Sequence, residues 1–398
     1  MKNKRFVALT ATSILLVGTV AGCSQQQQDA SDFEKEHITN SSSSPSATPT
    51  TKTPSPTASK TQATKKPTAT TKATSTKAVD NTPKVIASNL NTPWSIAFYN
   101  KTPLISSRDT GEIYEMTTNG NHRVMGKVDG IVHDYEGGLH GLAIKDQYLY
   151  VYYTAANDNR VARFTLHGKA GSLSISDPQS ILEGIPKAIY HNGGRIAFGP
   201  DQKLYITTGD AMVGTNAQNQ ASLSGKILRL NPDGTIPADN PFPNSPVWTL
   251  GHRNVQGITW DSKGTMYASE FGNDKLDELN IIKAGSNYGW PNIEGTGHQQ
   301  GFVDPVQEWP VSEASPSGIT YADSKIFIAN LRGERLRVVP VTKLSTSKEY
   351  FKQTYGRIRD VAVAPDGTLW FITNNTDGTS TPKANDDKII SVPLTAFS

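Results

Sequence analysis

Apolar positions in this chain come in short bursts, and from about residue 84 onward the bursts recur with a rhythm. Six times a brief apolar strand is followed by a tight turn, a second strand and, a little later, a third. The first strands read "SIAF" from Ser95, "GLAI" from Gly141, "RIAF" from Arg195, "GITW" from Gly257, "GITY" from Gly318 and "DVAV" from Asp360. Their partners are "LISS", "LYVYY", "LYITT", "MYASE", "IFIAN" and "LWFIT", and the third strands run from "EIYEM" to "KIISV". Start-to-start spacings are 46, 54, 62, 61 and 42 residues. No long stretch with helical period separates the strands, which excludes βαβ folds. Antiparallel units of this size predict propeller blades. The expected fold is therefore all-β, a six-bladed β-propeller of four-stranded antiparallel blades. "KVIAS" (Lys84 to Ser88) precedes the first repeat, where it is placed to complete the last blade and close the ring.

The rhythm also sorts the loops. Neighbouring strands of a blade run antiparallel, so the loop entering strand one and the loop leaving strand two lie at the same end. In all six repeats these loops fall on one face, around the central channel. The turns between strands one and two ("GPDQK", "DSKG", "APDGT") fall on the other face and are ordinary hairpin chemistry. The unusual polar residues gather in the first set: Glu136, His140, His191, Asp210, His252, Arg253, Asn254, Gln256, Glu270, Arg332, Arg357 and Arg359.

The N-terminal region has a different character. Residues 1–23 have a basic start (Lys2, Lys4, Arg5) and an apolar run to Val20, too short for a dedicated membrane span. They end in "VAGC", which resembles the lipobox of bacterial lipoproteins. The resemblance implies a cleaved signal peptide, a lipidated Cys23 and an extracytoplasmic protein anchored to the cell membrane. Cys23 is the sole cysteine of the 398 residues, so disulfide and thiol chemistry are excluded. Residues 24–79 are rich in Ser, Thr, Pro, Lys and Gln and poor in aromatics, the composition of a disordered tether. Residues 80–398 carry 29 basic and 32 acidic side chains, a net of −3, although the whole chain is at +3. The basic excess belongs to the tether and does not point to nucleic acid.

Within the repeats, "HNGGRIAFGPDQKLYITTGDA" (His191 to Ala211) places a histidine and a carboxylate at opposite ends of one hairpin, hence at the same mouth. A histidine oriented by a carboxylate is a candidate general base. Four arginines from three blades around one channel suit a ligand with several carboxylates, which guanidinium groups bind bidentately. Plain alternatives stand beside each reading. His191 in a glycine-rich loop can serve local hydrogen bonding, Asp210 can be a turn residue, and Arg357 and Arg359 can pair with acids at blade ends.

Several of these stretches resemble the soluble PQQ-dependent aldose sugar dehydrogenases of the glucose/sorbosone dehydrogenase family. The resemblance covers almost all of residues 84–398. It is carried by "HNGGRIAFGPDQKLYITTGD", "GKILRLNPDGTIPADNPFP", "LGHRNVQG", "DELNIIKAGSNYGWP" and "RIRDVAVAPDG". It implies oxidation of aldose sugars at C1 to lactones, with pyrroloquinoline quinone (PQQ) and Ca²⁺ as cofactors and an external electron acceptor. By the same resemblance His191 is the base and Asp210 its orienting carboxylate. Glu136, Arg253, Asn254, Arg332, Arg357 and Arg359 fall at cofactor-binding positions. Gly272 and Asn273 fall where backbone carbonyls hold the cofactor-bridging calcium, and Glu278 and Tyr288 match a second, structural calcium site. Four positions depart from the family pattern: Glu136 replaces a common glutamine, Phe271 a polar residue, Asn273 a proline and Arg332 a lysine. Two other functions share the scaffold. One is a non-catalytic carbohydrate- or envelope-binding propeller that has lost PQQ; the other is a calcium-dependent lactonase-like hydrolase.

Overall fold

The computed structural model describes residues 80–117 and 120–398. The signal sequence, the lipobox Cys23 and the tether over 24–79 lie outside these described residues. Among the described residues the chain forms six four-stranded antiparallel sheets in sequence order, with two short 3₁₀ turns and no α-helix. It is a six-bladed propeller. The innermost strands are Pro93–Tyr99, Leu139–Lys145, Ile196–Phe198, Val255–Trp260, Pro316–Ala322 and Ile358–Val363. Each packs on its neighbours, and the sixth meets the first. Lys84–Ala87 pairs antiparallel with Ile389–Pro393, so the N-terminal strand forms the outer edge of blade six and ties the ring shut.

The apolar runs follow from how a blade is buried. Successive side chains of a strand point to opposite faces, and each blade has a neighbour on both. In "LYVYY", Leu149 and Val151 pack toward blade one while Tyr150 and Tyr152 pack toward blade three. Phe327 and Ala329 likewise face blade six, whereas Ile326 and Ile328 face blade four. Six apolar clusters result, one at each blade-to-blade interface. Strands that bury both faces read as unbroken hydrophobic runs. The outermost strands lack that signal: Lys348–Tyr350 and Gln307–Pro310 are mostly polar or partly exposed.

Polar side chains close the channel axis. Arg195, fully buried, donates to Asp360 Oδ2 across the ring (3.0 Å), to Ser95 Oγ (3.1 Å) and to the Gln256 carbonyl (2.9 Å). Its guanidinium lies over the Trp94 ring at 4.3 Å. Asp360 also accepts the Ile96 amide (2.9 Å), and a side chain at Gly318 would collide with its carboxylate. Removing one partner of such a pair typically costs about 3–5 kcal/mol, because the other is left charged and buried. This crossbar joins blades one, three, four and six beneath the mouth.

Candidate active site at the channel mouth

The hairpin from His191 to Ala211 brings its two ends together. Gly194 N–H donates to the Thr207 carbonyl (2.9 Å), and Ala211 N–H to the His191 carbonyl (3.3 Å). The chains approach so closely at Gly209 that an added Cβ would lie 1.8 Å from the His191 carbonyl oxygen. At Gly194, in the left-handed region (φ +102°), a Cβ would strike His140. The glycines are required by proximity. His191 itself has φ +60°, an uncommon conformation for a side-chain-bearing residue and one that recurs at functional sites.

His191 Nδ1 lies 2.8 Å from Asp210 Oδ1. Asp210, 2% exposed, also accepts the Met212 amide on Oδ1 (2.9 Å) and the Trp290 indole N–H on Oδ2 (2.7 Å). Burial works to raise its pKa, but the hydrogen bonds from His191 and Trp290 and the nearby Arg253 charge hold it below its ordinary value. An ionised Asp210 accepts a hydrogen bond from Nδ1–H, which leaves Nε2 of the partly exposed imidazole with its lone pair. A histidine so arranged can accept a proton from a bound hydroxyl.

Glu136 sits beside this pair, and its Oε2 accepts the His191 backbone N–H (2.9 Å). The carboxylate at this departure from the family pattern therefore has a partner, and it supports the histidine loop. Asn254 links the next blade, its Oδ1 accepting the Gly193 amide (2.9 Å). Arg253 stacks over Trp290 at 5.4 Å and donates to Asn273 Oδ1 (3.2 Å). Among the described residues, two buried donors of this pair, Arg253 Nε and Asn254 Nδ2, have no acceptor.

The other predicted residues divide. Arg357 donates to Asp377 Oδ2 through Nε (3.3 Å) and Nη2 (3.1 Å), and Arg359 Nη2 lies 3.7 Å from the same oxygen. Arg359 is buried and spends its remaining donors on Asn374, Gln256 and Ser317. Of the two readings that the sequence left open for these arginines, the structure shows the pairing with an acid at a blade end, since Asp377 supplies a negative charge from the chain itself. Burial brings the Arg359 pKa down to about 9, against the attraction of Asp377. Arg332 is partly exposed in the turn after Lys325–Asn330. His140 and His252, expected at the mouth, are buried structural groups. His140 donates to the Glu136 carbonyl (2.7 Å), and burial drives its pKa to about 3. His252 bridges Thr249 and Glu270 and stacks on Tyr288.

For the metal positions, Gly272 N–H donates to Asp277 (2.9 Å) and Asn273 N–H to Glu294 (2.7 Å). Across a planar trans peptide, the Gly272 carbonyl must point opposite to the Asn273 amide, away from Glu294. Glu278 is buried, and burial together with the Glu270 charge raises its pKa to about 8. Both glutamates line a small cavity of about 10 Å³, along with Tyr288 and Glu294. The Tyr288 hydroxyl is committed to the Ile281 carbonyl (2.7 Å) and the Lys283 amide (2.9 Å), so only its backbone is left as a ligand. Among the described residues, no cluster of three or more His, Cys, Asp or Glu side chains is arranged to hold a metal.

Sequence reasoning missed three contributors. Trp290 lies inside the quoted "NYGWP", but an indole bond to a residue 80 positions away has no local signature. Asp377 sits in a polar loop with the appearance of a turn. Lys226, in "GKILRL", is completely buried, and its ammonium donates to the carbonyls of Asn216, Ala217 and Ser224 (2.7–3.0 Å). It pins the loop that follows Asp210, and burial lowers its pKa to about 7.

The family model for Glucose / Sorbosone dehydrogenase matches residues 90–381. The chain belongs to the glucose/sorbosone dehydrogenase family. Among solved structures, it resembles the PQQ-bound aldose sugar dehydrogenase of Streptomyces coelicolor with a TM-score of 0.75 and 44% identity, over 78% of this chain and 98% of that one. It is 33% identical to quinoprotein glucose dehydrogenase B of Acinetobacter calcoaceticus over 55% of this chain and 54% of that protein. To the aldose sugar dehydrogenase YliI of Escherichia coli it is 27% identical, over 74% of this chain and 90% of the relative. The family match takes in all of the mouth residues described above.

Proposed function

We propose that this glucose/sorbosone dehydrogenase family member is a PQQ-dependent dehydrogenase that oxidises aldose sugars at C1. The observation that carries the proposal is the His191–Asp210 pair, seated at the channel mouth beside two buried donors that lack acceptors. PQQ bears three carboxylates, and an acceptor-rich anion matches Arg253 Nε and Asn254 Nδ2 chemically. Arg253, Asn254 and Arg332 are the residues proposed to hold it, with Glu136, the Asp377-paired Arg357 and the buried Arg359 bracing the site. The Gly272 and Asn273 carbonyls offer hard oxygen ligands for the cofactor's Ca²⁺. Glu278, raised in pKa beside Glu270, is the side chain that a second Ca²⁺ would relieve.

When bound, PQQ supplies the acceptor for the hydride that leaves C1. His191 Nε2 takes the proton of the anomeric hydroxyl, so the sugar loses two electrons and two hydrogens and becomes a lactone. Asp210 stabilises the imidazolium through the 2.8 Å contact, and Trp290 and the Met212 amide keep the carboxylate in place. General-base action of this kind is worth about 10²–10⁴ in rate. An external acceptor then removes the electrons. A lipid on Cys23 would hold the enzyme at the outer face of the cell membrane.

A lactonase-like hydrolase would need a metal cage on the channel axis. The Arg195–Asp360 crossbar occupies that axis instead. The non-catalytic reading drew on Glu136 and Phe271, and for the first of these the hydrogen bond from the His191 amide provides a place within the site. The test is direct. PQQ and Ca²⁺ are added to the purified protein, and the quinone absorbance and dye reduction are followed with a panel of aldoses. Cofactor binding with sugar-dependent reduction is expected. Binding without reduction of dye by any aldose would refute the proposal.

A further inference from the structure

The dyad is flanked by an aromatic arm that the proposed chemistry does not use. Tyr135 is 60% exposed, unusual for a large ring beside a buried site. Its ring centroid lies 5.6 Å from that of Tyr190, which in turn lies 6.5 Å from the His191 imidazole. The rings form a step outward from the base, with Tyr135 one ring further from His191 than Tyr190.

The arm is fixed in place. Glu136 N–H donates to the Ile189 carbonyl (3.1 Å), and His191 N–H returns a bond to Glu136 Oε2 (2.9 Å). These two bonds bolt the Tyr135 loop to the strand of chain that carries Tyr190 and His191. Gly137 N–H closes a tight turn onto the Asp134 carbonyl (2.8 Å), and Tyr135 within it has φ +50°. A bulky residue held in the left-handed region costs about 1–3 kcal/mol and points to function when the surroundings enforce it. Nothing in the turn's hydrogen bonding requires a tyrosine. The fold holds an exposed aromatic face at a set place relative to the base.

We propose that Tyr135 is the platform of an outer sugar subsite, stacking on the second ring of an oligosaccharide whose reducing end lies at His191. This rests on the reading of His191 as the base for aldose oxidation. An aromatic face suits the C–H face of a pyranose, as an amphipathic ring with an apolar body and polar edges. Asp134 and Glu136, on either side of Tyr135, offer oxygen acceptors to the sugar hydroxyls. A second apolar pair, Met212 and Val213, is 45% and 49% exposed on the loop that follows Asp210.

The test compares glucose with maltotriose and cellotriose as substrates of the full chain reconstituted with PQQ and Ca²⁺. Tyr135→Ala should lower the trisaccharide-to-glucose ratio of kcat/KM roughly three- to tenfold, the worth of one aromatic contact. Tyr135→Phe, which keeps the face, should retain the wild-type ratio. An unchanged ratio in Tyr135→Ala, or an equal fall in Tyr135→Phe, would overturn the subsite. If no sugar is oxidised, saturation-transfer NMR on the cofactor-free protein decides the matter separately. Transfer to a trisaccharide that is lost in Tyr135→Ala would keep the platform and discard the oxidation. No transfer to either trisaccharide in the wild type would discard the platform.

Discussion

Asp210→Asn tests the dyad through its hydrogen-bond count. The carboxylate accepts three donors: His191 Nδ1 and the Met212 amide on Oδ1, and the Trp290 indole on Oδ2. An asparagine has one acceptor oxygen and one NH₂ group. If the oxygen takes the Oδ1 position, the NH₂ faces the Trp290 N–H. If it takes the Oδ2 position, the NH₂ faces the Met212 N–H. Either way two donors meet, and at 2% exposure water cannot relieve them. A stranded buried donor, with the remaining bonds no longer charge-assisted, amounts to about 2–5 kcal/mol of lost stability. Trp290→Phe removes the opposing donor while keeping an aromatic ring. It should cost about 1.5–3 kcal/mol alone. In the Asp210→Asn background it should cost about 1–3 kcal/mol less than that, because it also removes the conflict. Urea unfolding of the four proteins gives the coupling directly. Additivity within about 0.5 kcal/mol would show that Trp290 and Asp210 act independently, and the proposed orientation of His191 would lose its support.

His191→Gln should leave urea unfolding and PQQ binding close to wild type while lowering sugar turnover by about 10²–10⁴; turnover within twofold, with cofactor bound, would make His191 a loop-packing residue. Arg253→Ala and Arg357→Ala should part company. The first should weaken PQQ binding by about 1.5–3 kcal/mol in a titration with Ca²⁺ present, while the second should lower folding stability by a similar amount because Asp377 loses its closest cation. Equal cofactor affinities for Arg253→Ala and wild type would remove that arginine from the site. The Asp210 carboxyl has a folded pKa below its ordinary value of 3.8, so its ionised form contributes stability above about pH 4. That contribution drains as pH falls through the lower folded value. The pH dependence of the urea midpoint between pH 5 and 2 should therefore be shallower in Asp210→Asn, and parallel curves would contradict the assignment.

The strand order, the blade count and the shared face of the loops were all legible in the sequence. Each depends on short-range periodicity: "LYVYY" and "IFIAN" are apolar at every step because both faces of a blade are covered. The pairing of Lys84–Ala87 with the last blade followed from counting strands. His191 and Asp210 were also within reach, since they end a single hairpin. The outer strands were not, because edges that face water need no hydrophobic pattern. Nor were the partners of the charged residues. Whether Arg357 and Arg359 await an anion or already hold one depends on Asp377, from a loop that a linear reading takes for a turn. The same holds for His140, buried against Trp94, and for Trp290, which reaches Asp210 across a blade interface. Local sequence determines backbone form through side-chain alternation and turn chemistry. The state of a charge is set by whatever folding brings within about 3 Å of it, and only the closed ring decided that.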